Sequence, residues 1–341
     1  MTYVYDLIQT VKQMQIVFRI SRQTLDCAQI FQDYTIEVDK SKTILDCLNQ
    51  IKWTLDGTLA FRKNCRNTIC GSCAIKVNGI ASLACKENVG HFIDENIDNS
   101  SNIIEVTPLG NFPLIKDLVV DMRKFWENLE AISPYVKIKS TPEREFLQTE
   151  QERDKLNQTS NCISCGACYS ECNAIMVNSE FVGPHALAKA QRLLGDSRDT
   201  ATAERLQEYG QSITGVWGCT RCYQCNSVCP MDVEPMEQIG LIKQKILKTQ
   251  QSKETRAVRH RRVLVDLVEQ GGWIDERKFG LLVVGNNFRD IKGLASLFPL
   301  GIRMLLTGKF PGIFHPSQGV QEVSALIKSV KATIKKDDSR N

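Results

Sequence analysis

Alternating and helix-spaced apolar positions divide the first part of the chain into strands and one helix. Gln15–Ile20 and Tyr34–Val38 alternate and are rich in β-branched and aromatic residues, which predicts two strands. From Thr43 onward, apolar residues recur at helical spacing. Because Thr43 and Asp46 resemble a capping box, we predict a helix that begins there and stops near Gly57.

A hairpin and a last strand complete this region. Ala74–Val77 and Ile80–Cys85 flank Asn78-Gly79, the strongest short hairpin signal. Asn102–Thr107 is predicted to be the last strand. Strands with a single helix favour a small sheet that carries the helix across one face.

The pattern becomes helical beyond about residue 117. Leu118–Ala131 is amphipathic and predicts a helix, whereas the charged segment 138–160 is interpreted as a crossing segment or an exposed helix. Two more helices are predicted over Pro184–Leu194 and Met236–Leu247. No strand signal separates them, so we expect this second region to be mostly α-helical.

The last stretch, about residues 255–341, is less regular. Its apolar part, Gly293–Phe310, is interrupted by Pro299 and Arg303. We interpret it as a helix pair packed on the preceding domain, and docking to a surface or a partner is the alternative. A basic run is predicted to be a solvated face, and it consists of Arg256, Arg259, Arg261 and Arg262.

Composition is that of an ordinary folded protein. The 341 residues are 42% hydrophobic and 24% charged, which suits two or three domains. The net charge of +4 is too small to favour nucleic acid as a partner. No apolar run reaches the about 18 residues of a membrane span, and the N-terminus does not resemble a secretory signal.

Cysteine is the informative residue. Twelve of the 14 cysteines fall into three groups of four with tight C-x-x-C spacing. In a chain without a predicted secretion signal, this spacing indicates metal sites rather than disulfides, and a reducing compartment. Cys27 and Cys47 lie outside the groups and receive no role, although we expect Cys47 to be a small buried side chain.

The first group has the spacing C-x4-C-x2-C with a distant fourth cysteine, which is the plant-type two-iron pattern. Its members are Cys65, Cys70, Cys73 and Cys85. Gly71 and Ser72 keep bulk away, so that backbone N–H groups can point at the sulfurs. A zinc site is the alternative, but zinc usually uses two C-x-x-C pairs and this group has one.

The other two groups both read C-x2-C-x2-C-x3-C, the bacterial ferredoxin run. They are Cys162, Cys165, Cys168 and Cys172, and then Cys219, Cys222, Cys225 and Cys229. In such pairs the fourth cysteine of each run ligates the other cluster. One four-iron site is therefore predicted from Cys162, Cys165, Cys168 and Cys229, and the other from Cys172, Cys219, Cys222 and Cys225.

These motifs resemble the iron–sulfur subunit of succinate dehydrogenases and fumarate reductases. The segment TILDCLNQIKWTLDGTLAFRKNCRNTICGSCAIKVNGIASLAC is similar to the two-iron domain of that family. KDLVVDMRKFWENLEAISPYV resembles its inter-domain segment, and FVGPHALAKAQRLLGDSRDT and CNSVCPMDVEP resemble its second domain. The similarity covers roughly residues 12–250.

The resemblance implies an α+β chain with a β-grasp two-iron ferredoxin domain (12–115), a helical inter-domain segment (116–160) and an α-helical ferredoxin domain with two clusters (161–250). The remaining residues are expected to form a helical C-terminal extension (251–341), which is longer than the usual tail of the family. It also implies an FAD-containing flavoprotein partner, a membrane anchor subunit, and electron flow through three clusters toward quinone. A peripheral position on the cytoplasmic face of the membrane is expected.

Three departures from the family change this expectation. Most members lack a cysteine at the position of Cys222 and carry a three-iron third cluster; Cys222 predicts a second four-iron cluster, or a three-iron one if it is not a ligand. The usual quinone-pocket residues are replaced, among them by Asn173, Met176, Val177 and Thr220. The stretch MLLTGKFPGIFHP resembles heterodisulfide-reductase-type subunits, whose anchor is often cysteine-rich.

We therefore expect the electron-transfer subunit of a succinate dehydrogenase, with no catalytic residue of its own. The alternatives are a fumarate reductase subunit and a heterodisulfide-reductase-like electron-input subunit. A third alternative, a freely diffusing ferredoxin, is disfavoured by the inter-domain segment and the long tail.

Overall fold

The computed structural model describes residues 13–23, 28–94, 102–210, 214–249, 256–310 and 312–338. The chain divides into two compact units, Met1–Gln251 and Ser252–Asn341. In the described residues, the strands are β1 (Met14–Arg22), β2 (Ile30–Val38), β3 (Ala74–Val77), β4 (Ile80–Leu83), β5 (Ile103–Thr107), β6 (Leu114–Lys116) and β7 (Val119–Val120).

The first unit contains ten described α-helices. They are α1 (Ile44–Thr54), α2 (Val89–Asp94), α3 (Arg123–Glu130), α4 (Glu150–Ser160), α5 (Ala167–Ser170), α6 (Asn173–Val177), α7 (Pro184–Gly195), α8 (Thr202–Tyr209), α9 (Gln224–Ser227) and α10 (Pro235–Lys248). The second unit holds α11 (Arg256–Gly271), α12 (Glu276–Val283), α13 (Ile291–Leu306) and α14 (Val320–Asp338).

Five strands form one mixed sheet in the order β2-β1-β5-β3-β4. Strand β1 pairs antiparallel with β2 and parallel with β5, while β3 pairs antiparallel with both β5 and β4. Ile44, Leu48 and Ile51 of α1 join Phe18 and Ile104 of the sheet in one buried core. The predicted sheet with a helix across one face is confirmed.

Local sequence signals placed α1 and the hairpin well. The backbone N–H of Asp46 donates to Thr43 Oγ1 at 3.1 Å, and the N–H of Thr43 donates to the Asp46 carboxylate at 3.2 Å, so the capping box is present. In the hairpin, Asn78 and Gly79 both have positive φ, 47° and 83°, as a tight two-residue turn requires. The strand β4 ends two residues before the predicted Cys85.

The prediction of one helix over Leu118–Ala131 is wrong in its first part. Residues 114–120 form the small hairpin β6–β7, and α3 begins at Arg123. The turn of that hairpin is held by Asp117, which is buried and has φ 50°. Its carboxylate accepts from Arg22 Nε (3.0 Å), Gln23 N (3.2 Å) and Ala60 N (2.9 Å), and these distant partners override the local helical pattern.

The second half of the first unit is helical, as predicted. The helices α7 and α10 cover the predicted spans with one or two added residues, and each has a proline in its first turn. Within the polar segment 138–160, α4 is a helix with a capping box at Thr149 and two buried residues, Leu156 and Thr159. The helix α8 was not predicted.

The sheet domain and the helical domain are joined at the first ferredoxin-type run, Cys162–Cys172. Asn111 Nδ2 lies 2.9 Å from the carbonyl oxygens of Tyr169 and Ser170 and 3.1 Å from that of Cys172. The N–H of Gly110 donates to Ser170 Oγ at 2.8 Å. The loop after β5 therefore caps the carbonyl end of α5 and fixes the run between its third and fourth cysteines.

The second unit has its own small core around Val263, Leu267 and Val283. It holds four helices in its described part rather than the expected pair. Within the basic run predicted to be solvated, Arg259 is buried and donates to the carbonyl oxygen of Val283 at 3.0 Å, so the prediction is wrong for this residue. Within the residues that the structure describes, no helix has both the length and the apolar character to cross a bilayer.

A buried ion pair holds the inter-domain segment against α8. The Arg205 side chain has no exposed surface, and its Nη2 donates to Asp199 at 2.8 Å. The same guanidinium donates to the carbonyl oxygens of Ile132 (3.2 Å), Ser133 (3.0 Å) and Tyr135 (2.6 Å). One guanidinium group thus donates hydrogen bonds to three carbonyl groups of the inter-domain segment.

We predict that Arg205→Ala lowers the free energy of unfolding by about 3–5 kcal/mol, because it leaves the buried Asp199 carboxylate without its cationic partner and removes donors from three carbonyl groups. Anaerobic denaturant titration of the full chain measures this loss. The control is Lys137→Ala, whose pair with the exposed Glu204 carboxylate is screened by solvent, so its loss should change stability much less. Equal losses in the two variants would contradict the prediction.

The same pair gives stability a pH dependence. Burial acts to raise the pKa of the Asp199 carboxyl, but hydrogen bonds from Arg205 and from the Lys137 and Ala201 backbone outweigh burial and lower that pKa. The contribution is therefore present above the usual carboxyl pKa of about 4 and is lost as the pH falls through the folded-state value. Arg205→Ala should flatten the acid limb of a stability–pH curve.

Candidate metal centres

The loop from Cys65 to Cys73 surrounds its own sulfur atoms with backbone N–H groups. The N–H groups of Asn67 and Cys70 lie 3.3 Å and 3.4 Å from Cys65 Sγ. The N–H of Cys65 lies 3.5 Å from Cys70 Sγ. Such a cradle stabilises negative charge on the sulfurs, as an anionic cluster requires.

Left-handed residues give this loop its shape. Arg66, Thr68 and Gly71 have φ values of 57°, 55° and 69°. Alternating left-handed and right-handed residues turn successive N–H groups to the same side of the chain. Of these residues, only the glycine at position 71 predicts a left-handed conformation from sequence. The hydrogen bonds from the Asn67 and Thr68 N–H groups to cysteine sulfurs could therefore not be predicted.

Cys85 returns to the loop, as predicted from its place after the hairpin strand. The N–H of Thr68 donates to Cys85 Sγ at 3.3 Å. Burial, and then the neighbouring thiols of Cys85 and Cys70, raise the pKa of Cys73. The structure therefore brings the four predicted side chains of the first group together.

The pKa values of Cys70 and Cys73 shift in opposite directions, because the surroundings of the two thiols differ. Burial acts to raise the pKa of Cys70, but hydrogen bonds from the Ser72 side chain and from the Cys65 and Ser72 backbone lower it to about 6. Burial raises the pKa of Cys73 to about 12. The loop thus favours the thiolate, the form that binds iron, at the more open position.

Four cysteines from both ferredoxin-type runs line a single cavity in the helical domain. They are Cys162, Cys165, Cys168 and Cys229. Burial first, and then repulsion from neighbouring thiols of this set, raises the pKa of Cys165 and of Cys168. The N–H of Val233 donates to Cys229 Sγ at 3.4 Å. This is the crossed set that the ferredoxin pattern predicts, and its thiols converge on a common space.

The remaining four cysteines form a second neighbourhood that includes Cys222. Burial, and then the charges of Cys219, Cys172 and Cys222, raise the pKa of Cys225 to about 12. Burial raises the pKa of Cys172, and the charges of Cys219 and Cys222 act in the same direction. Cys222 is exposed, whereas Cys172 and Cys225 are buried. The structure thus places Cys222 with the three thiols with which it was grouped.

One neighbour of this group was not predicted. The thiol of Cys219 lies 3.5 Å from the thioether sulfur of Met236, in the first turn of α10. The N–H of Met236 donates to Asn226 Oδ1 at 2.8 Å, which ties this turn to α9. Met236 was recognised only as an apolar position of the helix, because sequence spacing does not show which sulfur a helical methionine meets.

Direct contacts link the three cysteine groups in a row. A Cβ placed on Gly71, beside Cys70, would lie 2.9 Å from both Cα and Cβ of Cys165. The helices α5 and α9, which carry Cys168 of the crossed set and Cys225 of the third group, contact each other. The order along the row is therefore the two-iron-type loop, the crossed set, and the set with Cys222.

Several other predicted residues fall outside these groups. Cys47 is buried in the sheet domain as expected, and burial raises its pKa to about 12. Cys27 lies outside the described residues. Met176 and Val177, at positions of the family's quinone pocket, are both exposed. In the described part of the chain, no three His, Cys, Asp or Glu side chains are arranged as ligands of a single metal ion.

Family models match both halves of the first unit. Residues 15–127 match a 2Fe-2S iron-sulfur cluster binding domain, and residues 158–233 match a 4Fe-4S dicluster domain. A solved structure, the Mycobacterium smegmatis Sdh1 complex in the apo form, has a TM-score of 0.64 and 24% identity. The similarity covers 72% of this chain and 100% of that one, and it shows the fold.

Three curated relatives extend the similarity. The fumarate reductase iron-sulfur subunit of Escherichia coli is 39% identical over 208 residues, which are 60% of this chain and 82% of that protein. The protein of the same description from Mycobacterium tuberculosis is 36% identical over 226 residues, covering 65% and 88%. The 8-methylmenaquinol:fumarate reductase iron-sulfur subunit of Wolinella succinogenes is 31% identical over 309 residues, covering 89% and 95%.

We predict that Gly71→Ala disrupts the contact between the first two cysteine groups. An alanine in a left-handed conformation lowers the free energy of unfolding by about 1–2 kcal/mol. Because the added methyl group also overlaps Cys165, overpacking should lower it further, by about 1–3 kcal/mol. Separating the groups should also weaken the magnetic coupling between their reduced clusters. Anaerobic unfolding and low-temperature EPR measure the two effects.

Gly79→Ala is the matched control. Gly79 has a similar φ of 83°, but a Cβ there would meet nothing within 4 Å. This variant should therefore lose only the stability that a left-handed alanine costs, and the magnetic coupling between the reduced clusters should stay unchanged. Identical behaviour of the two variants would show that the close approach at Gly71 does not matter.

Proposed function

Because this chain belongs to the family of iron–sulfur subunits of succinate dehydrogenases and fumarate reductases, we propose that it is the electron-transfer subunit of a succinate dehydrogenase. It would pass electrons from the FAD of a flavoprotein subunit through three clusters toward quinone. The chain would hold and tune the clusters, while the bond chemistry of succinate and fumarate belongs to the flavoprotein.

The proposed cofactors are one two-iron and two four-iron clusters. Bound clusters supply one-electron carriers whose potentials depend on ligands, hydrogen bonds and burial. The two-iron ligands are Cys65, Cys70, Cys73 and Cys85. The first four-iron ligands are Cys162, Cys165, Cys168 and Cys229, and the second set is Cys172, Cys219, Cys222 and Cys225.

The arrangement of the three cysteine groups in a row carries this proposal. The first group touches the second at Gly71 and Cys165, and the second is linked to the third by the contact between α5, with Cys168, and α9, with Cys225. The outer groups each present an exposed cysteine, Cys65 at one end and Cys222 at the other. A relay needs this order, with access for a donor at one end and an acceptor at the other.

The partners follow from the ends of the relay. The flavoprotein is proposed to dock over the two-iron loop, where Ile69 is an exposed apolar residue between two ligands. A membrane anchor subunit, of the ordinary or the cysteine-rich kind, would receive electrons beside Cys222. We propose a peripheral position for the chain on the cytoplasmic face of the membrane, with quinone as the final acceptor.

A fumarate reductase subunit is the second candidate function. The relatives reported above are named for fumarate reduction, and the Wolinella succinogenes protein matches along 89% of this chain. The residues of the relay serve either direction, because direction depends on cluster potentials and on the flavoprotein.

The purified complex distinguishes the two directions. Succinate oxidation with a quinone analogue should exceed fumarate reduction by a low-potential dye if the chain serves a succinate dehydrogenase. A clear excess of fumarate reduction assigns it to the second candidate. A chain that purifies without a flavoprotein and supports neither reaction would contradict both.

Metal content tests the cofactor proposal directly. Anaerobically prepared protein should contain about ten iron atoms per chain, two from the first site and four from each of the others. A colourless protein, or one that holds zinc, would refute the iron–sulfur assignment. Iron content near nine would instead indicate a three-iron third cluster.

We predict that Cys222→Ser converts the third cluster to a three-iron form, because the site then retains three thiolates. Low-temperature EPR of the oxidised variant should show a new three-iron signal that the parent lacks. The control is Cys47→Ser, which changes a buried thiol outside the groups and should leave all three cluster signals in place. An unchanged spectrum of Cys222→Ser would remove Cys222 from the ligand set.

A further inference from the structure

The helix α13 exposes an apolar stripe on the surface of the second unit. Ile291, Phe298 and Leu305 are 76%, 70% and 63% exposed. They are seven residues apart, so they lie on one face of the helix, and Ile302 belongs to the same face. The chain that follows carries two more exposed apolar side chains, Phe310 and Ile313.

Next to the stripe, α13 is packed against its own unit. Leu294, Leu297 and Met304 are partly buried and border the stripe on the helix surface. Leu297 lies 3.7 Å from the position of a Cβ placed on Gly280 in α12, and Leu294 packs against Gly285. The exposed stripe therefore continues the apolar face beyond its packed part, and it has no partner among the described residues.

The charged residues within the segment 291–321 are cations. They are Lys292, Arg303 and Lys309, and the segment is flanked by two acidic residues, Asp290, which caps α13, and Glu322. All three cations are exposed. On a helical wheel Lys292 and Arg303 are neighbours at one border of the stripe, because eleven residues make about three turns. An apolar face with a cationic border complements a surface that is apolar inside and anionic outside.

The dimensions favour a helix that lies on a bilayer rather than one that crosses it. Sixteen residues give a length of about 24 Å, which is less than the about 30 Å of a hydrocarbon core. Arg303 and Pro299 also interrupt the apolar sequence. A cationic amphipathic helix of this kind buries its apolar face in the boundary between headgroups and acyl chains.

We propose that the exposed stripe of α13 is an interfacial membrane contact that binds an anionic lipid leaflet. Phe298, Ile302 and Leu305 would enter the acyl boundary, and Lys292, Arg303 and Lys309 would meet the phosphate-bearing headgroups. This extends the peripheral location proposed above, because it gives the chain a lipid contact of its own in addition to an anchor subunit.

Co-sedimentation of the full-length, cluster-loaded chain with vesicles tests this contact. Vesicles of phosphatidylcholine and phosphatidylglycerol in equal parts should bind the chain at least about ten-fold more tightly than phosphatidylcholine alone, since each cation near the surface adds attraction. High salt should remove most of this difference. Absence of binding to both kinds of vesicle would overturn the proposal.

A pair of double variants assigns the contact to α13. Phe298→Gln with Leu305→Gln should weaken binding to the anionic vesicles by about ten-fold or more, because it removes two inserted side chains. Leu326→Gln with Val330→Gln is the matched control, since these residues of α14 are also apolar and exposed. Equal binding by the two double variants would refute the assignment to α13.

A fluorescence readout does not depend on the stability of those variants. Phe298→Trp should add an emission component that shifts to the blue when anionic vesicles are added, whereas Leu326→Trp should not. No shift at position 298 overturns the proposal. Elution as a dimer that the α13 double variant dissociates, without vesicle binding, would assign the stripe to contact between two copies.

The cluster spectra and the succinate–fumarate activity of the same variants are read separately. They should match the parent protein, because α13 contains none of the proposed ligands. Loss of vesicle binding with intact spectra concerns the lipid contact alone. Absent clusters in the parent protein concern the proposed function alone, so the two proposals fail in different ways.

Discussion

Cysteine side chains from distant parts of the chain must converge on each proposed cluster, and this requirement explains much of the first unit. Cys229 lies in one cavity with Cys162, Cys165 and Cys168, although an entire helical region separates the two runs in sequence. The helices α7 and α10 belong to a common core and bring the runs together. Because both runs serve two groups, neither can move without disturbing the other.

The same convergence joins the two domains. The loop of the first cysteine group approaches the first ferredoxin-type run so closely that Gly71 has no room for a side chain beside Cys165. Asn111 and Gly110 bind the run from the sheet side, and Arg205 fixes the inter-domain segment from the helical side. An electron relay benefits from such rigidity, since transfer depends on fixed distances between its centres.

The two ends of the relay differ from its middle. In the middle group, burial and then neighbouring thiols raise the pKa values of Cys165 and Cys168. Cys65 and Cys222 are exposed, so donor and acceptor can approach them. The second unit adds a different kind of surface, with apolar side chains and cations on α13, and it contains no member of the cysteine groups.

The sequence alone determined the features that depend on neighbouring residues or on fixed spacing: the capping box of α1, the Asn78-Gly79 hairpin, the proline-started helices and the three cysteine groups. It did not determine features that depend on distant partners. Residues 114–120 form a hairpin because Asp117 binds groups from two remote segments, and Arg259 is buried because it meets a carbonyl group of α12. The closeness of Gly71 to Cys165 was also decided in the tertiary structure, because a spacing pattern specifies which side chains belong to one loop but contains no distances between loops.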